Sequence, residues 1–124
     1  MLDASVVLAL LNDEPGTDKL TPELLSNAIC STVNLAEVHT KLVSEGGSPD
    51  QAWEDTLSPI LEAASFTAEH ARIAGSLAAR TRALGLSLGD RACLALGLTL
   101  KAPVYTADRS WKRLKLGVRI HVIR

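Results

Sequence analysis

Hydrophobic and polar positions along this chain alternate in short blocks, and the period of each block predicts an element. After the apolar opening Met1-Leu2, Ser5 to Leu11 reads as a helix, closed by the turn-rich run from Asn12 to Gly16. A second short helix fits Thr17 to Leu25, and Asn27 to Ser31 reads as a short buried strand. Between Asn34 and Glu45, Leu35, Val38 and Leu42 recur at helical spacing, with Gly46-Gly47 as the stop. Ser48 and Pro49 open another helix toward Leu57, and Ile60 to Phe66 suits a strand weakened by its two alanines. Thr67 to Leu84 is predicted as the longest helix, closed by Gly85. Ser87 to about Leu100 is apolar almost all round, which predicts a helix buried between others. Pro103 introduces the strand Val104–Thr106, and the alternation from Val118 to Ile123 predicts the last strand.

Strands that alternate with helices in this way predict an α/β fold, a central parallel sheet covered by helices on both faces. Right-handed crossovers place the strand C-termini on one rim, where open α/β sheets bind their ligands. Four acids stand at the seams where a strand would hand over to a helix: Asp3, Glu37, Asp90 and Asp108. Carboxylates gathered on one rim repel one another unless a cation neutralises them, and a hard, oxygen-loving ion suits them. The pattern therefore predicts a Mg²⁺ or Mn²⁺ site. Each acid also has a local alternative. Asp3 and Ser5 suit the cap of the first helix, and Glu37 has capping-box spacing from Asn34 and i,i+4 spacing to Lys41. Asp90 falls in a first helical turn three residues after Ser87, and Asp108 suits a short helical cap with Lys112 in pairing range. Capping explains each residue singly, whereas a shared cation explains why the seams carry acids so consistently.

Composition narrows the classes. A chain of 124 residues predicts one domain, and 47% hydrophobic with 22% charged residues is ordinary for a globular protein. No apolar run reaches the ~20 residues that span a bilayer, and the opening segment lacks the basic start of a signal peptide, so a cytoplasmic setting is expected. Cys30 and Cys93 have no metal or redox spacing and are expected as free buried thiols. The net charge is -1, but residues 101–124 hold seven cations (Lys101, Arg109, Lys112, Arg113, Lys115, Arg119, Arg124) and one acid, a net of +6. The rest of the chain holds six cations and thirteen acids. A basic end beside an acidic body suits a polyanion contact. Arg91, Arg109, Lys112 and Arg113 flank the candidate acids and are the candidate contacts for the phosphates of such a polyanion. Aromatic content of 3% argues against base-stacking platforms. Trp53 and Trp111 are expected as packing anchors, and His39, His70 and His121 have no triad or zinc spacing. Ala71, Ala74, Gly75 and Ala78 are spaced for close helix contact, in the core or in a dimer.

The motifs LDAS, NLAEV, LSLGDRACLALG and YTADRSW, in that order, resemble the PIN domains, and among them the VapC toxins of bacterial toxin–antitoxin pairs. The likeness runs over essentially the whole chain. It implies a three-layer α/β/α sandwich (PIN-like) with a parallel sheet, and a metal-dependent endoribonuclease site. It also implies a cognate antitoxin partner, frequent homodimerisation and no direct DNA reading by this chain. Carried over by motif, Asp3, Glu37, Asp90 and Asp108 are the catalytic acids, with Asp3, Asp90 and Asp108 as metal ligands and Glu37 acting through water. Ser5 and Thr106 are supporting hydroxyls. One departure is that only Met1 and Leu2 precede the first acid. Either the first strand is stunted or the chain starts downstream of its natural start. An inactive PIN-like RNA-binding or regulatory module is the alternative reading. A phosphoacceptor receiver domain fails, because no Asp closes a mid-chain strand.

Overall fold

The sheet of this chain is built from strands of only three residues each. The computed structural model describes residues 1–124. It contains α1 (Ala4–Leu11), α2 (Pro22–Leu25), β1 (Ile29–Ser31), α3 (Thr32–Ser44), α4 (Pro49–Leu57), β2 (Glu62–Ala64), α5 (Ala68–Ser76), α6 (Ala78–Thr81), α7 (Leu88–Leu100), β3 (Val104–Thr106) and β4 (Ile120–Val122). Single 3₁₀ turns cover Thr17–Lys19, Arg82–Leu84 and Arg109–Arg113. β1 pairs in parallel with β2, and β3 with β4. Residues 1–3 join the two pairs. Leu2 N–H donates to Ile29 C=O at 2.9 Å, while Asp3 N–H donates to Tyr105 C=O at 3.1 Å and Tyr105 N–H to Met1 C=O at 2.7 Å. The spatial order is therefore β2, β1, residues 1–3, β3, β4, with the opening segment central but reduced to one parallel bridge between Leu2 and Tyr105.

Successive strand residues point to opposite faces, and here they enter two different cores. Leu2, Cys30 and Tyr105 pack with Val6 and Val7 of α1 and Leu35 and Val38 of α3. Their neighbours Met1 and Val104 pack with Leu77, Cys93 and Leu94 of the α5–α7 side and with Trp111. A sheet with an apolar core on each face is the α/β sandwich that the alternation predicts. Gly97 lets α7 sit against β3, since a Cβ there would lie 2.4 Å from Val104 Cγ2.

The local differences have identifiable causes. The helix expected over Thr67–Leu84 breaks at Leu77 into α5, α6 and a 3₁₀ turn, ending at Gly85 in the left-handed region. Ser76 and Thr81 hydroxyls donate to the carbonyls of Arg72 and Leu77, four residues back, a contact that bends helices. Only Ala74 of the small-residue set is buried, against α7, while Ala71 and Gly75 are exposed. The third helix starts at Thr32 under a Ser31 cap rather than at Asn34. The helix expected over Thr17–Leu25 is a 3₁₀ turn and α2, separated by the Thr21-Pro22 start. Trp111 is the buried anchor expected, whereas Trp53 is 41% exposed and lies edge-on to His39.

Candidate active site

Asp3 is the most constrained acid of the chain. It ends the central segment and caps α1, its Oδ1 accepting from Val6 N–H at 3.1 Å and from Ser5 Oγ at 2.6 Å. Its Oδ2 accepts from Thr106 Oγ1 at 2.6 Å, across 103 positions of sequence. The two hydroxyls in turn accept from the backbone of the turn after β3: Ala107 N–H reaches Ser5 Oγ at 2.9 Å, and Asp108 N–H reaches Thr106 Oγ1 at 3.0 Å. Ser5 and Thr106 thus fasten the Asp108 turn to Asp3. Asp3 is 3% exposed. Burial, opposed by the Ser5, Thr106 and Val6 hydrogen bonds and assisted by the Asp90 charge, raises its pKa to about 6.

The other acids approach the rim from three directions. Glu37 projects from α3, its Oε1 accepting from Asn34 Nδ2 at 3.0 Å. Burial of its carboxyl raises its pKa, with the Asn34 bond opposing and the Asp90 charge adding. Asp90 opens α7 in a capping box with Ser87, its Oδ2 accepting from Ser87 N–H at 2.9 Å. Asp108 caps the Arg109–Arg113 turn, its Oδ1 accepting from Ser110 N–H and Oγ. The Asp90 charge therefore bears on both Asp3 and Glu37, and Asp108 is bonded to the hydroxyl that holds Asp3. Glu37 and Asp108 do not pair with Lys41 and Lys112 as their spacing allows; Lys41 pairs with Glu45 instead.

No three His, Cys, Asp or Glu side chains stand together closely enough to hold a metal ion. The tight carboxylate cluster expected from sequence is not assembled, because each acid is satisfied locally by a cap, a hydroxyl or an amide. The donor set nevertheless fits a hard divalent cation. A carboxylate offers about four lone-pair sites. Asp3 uses three, and the second oxygens of Glu37, Asp90 and Asp108 have no hydrogen-bond partner.

Two residues of the site were not singled out as functional in the sequence. Asn34 is buried and bonds both Glu37 and Gly89 C=O at 3.0 Å, tying α3 to the first turn of α7. Its own carbonyl oxygen is buried without a protein donor. Gly89 lies directly beneath Glu37, for a Cβ there would sit 2.0 Å from Glu37 Oε1. Asn34 read as a capping residue, and a Gly beside an Asp in a helix start carries no signal of close approach. Cys30 and Cys93 are free and buried, and burial pushes the Cys30 thiol up to about 12, which rules it out as a nucleophile.

The expected phosphate contacts divide. Arg109, Lys112 and Arg113 are exposed on the turn that Asp108 caps and form no ion pair. Arg91 is half-buried, and its Nη1 donates to Ala74 C=O at 2.9 Å, so it braces α7 against α5. No helix is long and apolar enough to cross a membrane.

Comparison with known proteins agrees with this architecture. The chain is similar to VapBC2 from Rickettsia felis bound to a promoter DNA fragment, with 21% identity, 98% of this chain and 96% of that one covered, and a TM-score of 0.72. It is similar to DNA-bound VapBC from Salmonella typhimurium, with 18% identity, coverage of 100% and 97%, and a TM-score of 0.74. It is also similar to VapC20 from Mycobacterium tuberculosis, described as a sarcin–ricin loop cleaving toxin, with 21% identity, coverage of 95% and 97%, and a TM-score of 0.72. Among curated protein sequences none matches. The family model for the PIN domain matches residues 1–116, and the chain belongs to the PIN domain family.

Proposed function

We propose that the protein is a Mg²⁺- or Mn²⁺-dependent endoribonuclease, the toxin of a toxin–antitoxin pair, hydrolysing RNA phosphodiester bonds. The observation that carries this reading is Asp3: a carboxylate buried at the C-terminal end of the central segment, held by Ser5 and Thr106, with the Asp90 charge acting on it. Holding a buried carboxylate ionised is costly unless it has a partner, and a cation is the partner that Asp90, Glu37 and Asp108 would share with it. Such an ion would polarise a phosphoryl oxygen of the RNA and make a bound water more acidic than bulk water. The chain's own residues hold the rest. Asp3, Asp90 and Asp108 are the proposed ligands, and Glu37, fixed by Asn34, acts through water. Ser5 and Thr106 keep Asp3 and the Asp108 turn in register. Arg109, Lys112 and Arg113 hold the RNA backbone beside the acids.

The likeness to VapBC complexes supports a cognate antitoxin as partner; a homodimer in the cytoplasm belongs to the same proposal, and this chain itself is not expected to read DNA. One observation favours the second reading, an inactive RNA-binding module: no three acid side chains are gathered at metal-holding distance. The two are separated by incubating structured RNA, tRNA included, with the purified chain in Mg²⁺, Mn²⁺ or EDTA, beside Asp90→Asn. An asparagine keeps an acceptor for Ser87 N–H, so the variant preserves the start of α7. Discrete metal-dependent cuts absent from Asp90→Asn support the nuclease. RNA binding without cutting supports the inactive module.

A further inference from the structure

We infer that the cavity between α6 and the end of the Arg109–Arg113 turn is a phosphate subsite that grips the RNA backbone away from the scissile bond. This deepens the nuclease reading and rests on it. The cavity encloses about 310 Å³ and is lined by Arg80, Arg113 and Lys115 with Ala83, Leu84, Leu114 and Leu116. Three cations meet there with no acid on the lining, and none of them takes part in any ion pair of the chain. Arg80 Nη2 donates to Lys115 C=O at 2.8 Å, which straps α6 to the segment after the turn and fixes one edge of the guanidinium. The remaining walls are leucine and alanine, and low-dielectric walls strengthen the attraction of the cations for an anion. The three cations are exposed along one groove, and a phosphate, which arginine takes up bidentately, is the anion that matches them.

Its position selects the ligand. Arg113 ends the turn that Asp108 caps. Five residues at the ~2 Å rise of a 3₁₀ helix put Arg113 ~10 Å along the turn from Asp108, within reach of neighbouring phosphates on one strand. An acidic peptide would match the charge alone. A nucleic-acid strand running past the acids matches the charge and the distance together. Arg80 and Lys115 thereby join Arg113 as contacts of the substrate backbone.

The test uses the Asp90→Asn chain in EDTA, where RNA is bound without being cut, with and without Arg80→Gln and Lys115→Gln. Sodium pyrophosphate is expected to move the amide NMR signals around residues 80–84 and 113–116, and the double substitution to abolish this. Lys115→Gln alone, which leaves the Arg80 strap intact, is expected to weaken it. For tRNA, the slope of log affinity against log salt should fall by about 0.7 for each phosphate that the variant no longer neutralises. Pyrophosphate shifts elsewhere or nowhere, or an unchanged tRNA slope, would overturn the subsite. So would a polyglutamate peptide moving these signals where pyrophosphate does not, which would assign the cavity to a protein partner. The nuclease reading fails separately: a reduced slope with no metal-dependent cutting by the unsubstituted chain leaves the subsite standing and removes the nuclease. Cutting with an unchanged slope does the reverse.

Discussion

Replacing Asp3 by Asn should make the metal-free protein more stable while removing its response to divalent ions. The magnitude follows from the burial of the carboxyl. Its pKa is raised from 3.8 to about 6, and at ~1.4 kcal/mol per unit keeping Asp3 ionised near neutral pH costs the folded state ~3 kcal/mol. The sign is that of an acid raised on folding. Between the two pKa values the native state binds more protons than the unfolded one, so stability falls as pH rises through that window and levels off above it. Asparagine removes the charge and keeps the shape. Its amide nitrogen, however, faces either Thr106 Oγ1 or Ser5 Oγ, each of which now donates to Asp3. Losing one charge-assisted bond costs about 1.5–3 kcal/mol. The net gain is therefore ~0–1.5 kcal/mol, a rise in Tm of up to a few degrees for a domain of this size. Thermal unfolding in EDTA should show Asp3→Asn above the parent at about pH 7.5 and below it toward pH 4, where the parent's carboxyl is protonated and only the lost bond remains. Added Mg²⁺ should raise the parent's Tm and leave the variant's unchanged. A variant less stable than the parent at neutral pH in EDTA, or an advantage independent of pH, would refute the reasoning.

Three further substitutions probe separate parts of the account. Gly89→Ala should push the Glu37 carboxylate aside and lower RNA cleavage at least tenfold. Its Tm should stay within a few degrees, because the clash falls on the end of a flexible side chain while helix propensity improves by ~1 kcal/mol; unchanged cleavage would show that Glu37 needs no fixed position. Thr106→Val strands Asp108 N–H and removes one donor to Asp3. Urea unfolding should register a loss of about 1–3 kcal/mol, and NMR titration should place the Asp3 pKa still higher; a lower one would contradict the hydroxyl's role. Gly97→Ala drives a methyl into Val104 and against Ala102 C=O, and should cost about 1–3 kcal/mol in the same assay; a neutral result would show that α7 can lift from β3.

The alternation of strands and helices was legible in the sequence because apolar blocks, glycines and prolines mark each element locally. Asp3 was legible as a candidate from its place at a strand-to-helix seam, whereas Ser5 and Thr106 were legible as its supporting hydroxyls only through the resemblance of LDAS and YTADRSW to PIN motifs. The break at Leu77 was not, since Ser76 and Thr81 read as ordinary helix residues until their hydroxyls are seen bonding back to the carbonyls. Asn34 and Gly89 were hidden for a different reason. Their contact joins residues 55 positions apart, and nothing in either local pattern records that α3 and α7 meet there. The four acids read as a set in the sequence, but the caps weighed for Asp3, Asp90 and Asp108 are all realised in the fold. Glu37 instead takes the Asn34 amide at the spacing that suggested a capping box.

The claim that these acids, individually satisfied, act together on one cation is tested most directly by titrating Mn²⁺ into isotope-labelled protein and following paramagnetic broadening of amide signals. The account predicts that signals around Asp3, Glu37, Asp90 and Asp108 broaden together at the same low Mn²⁺ ratio, and that Asp90→Asn weakens all four at once. Broadening confined to one of these segments, or centred on exposed acids such as Asp50 and Asp55, would contradict it.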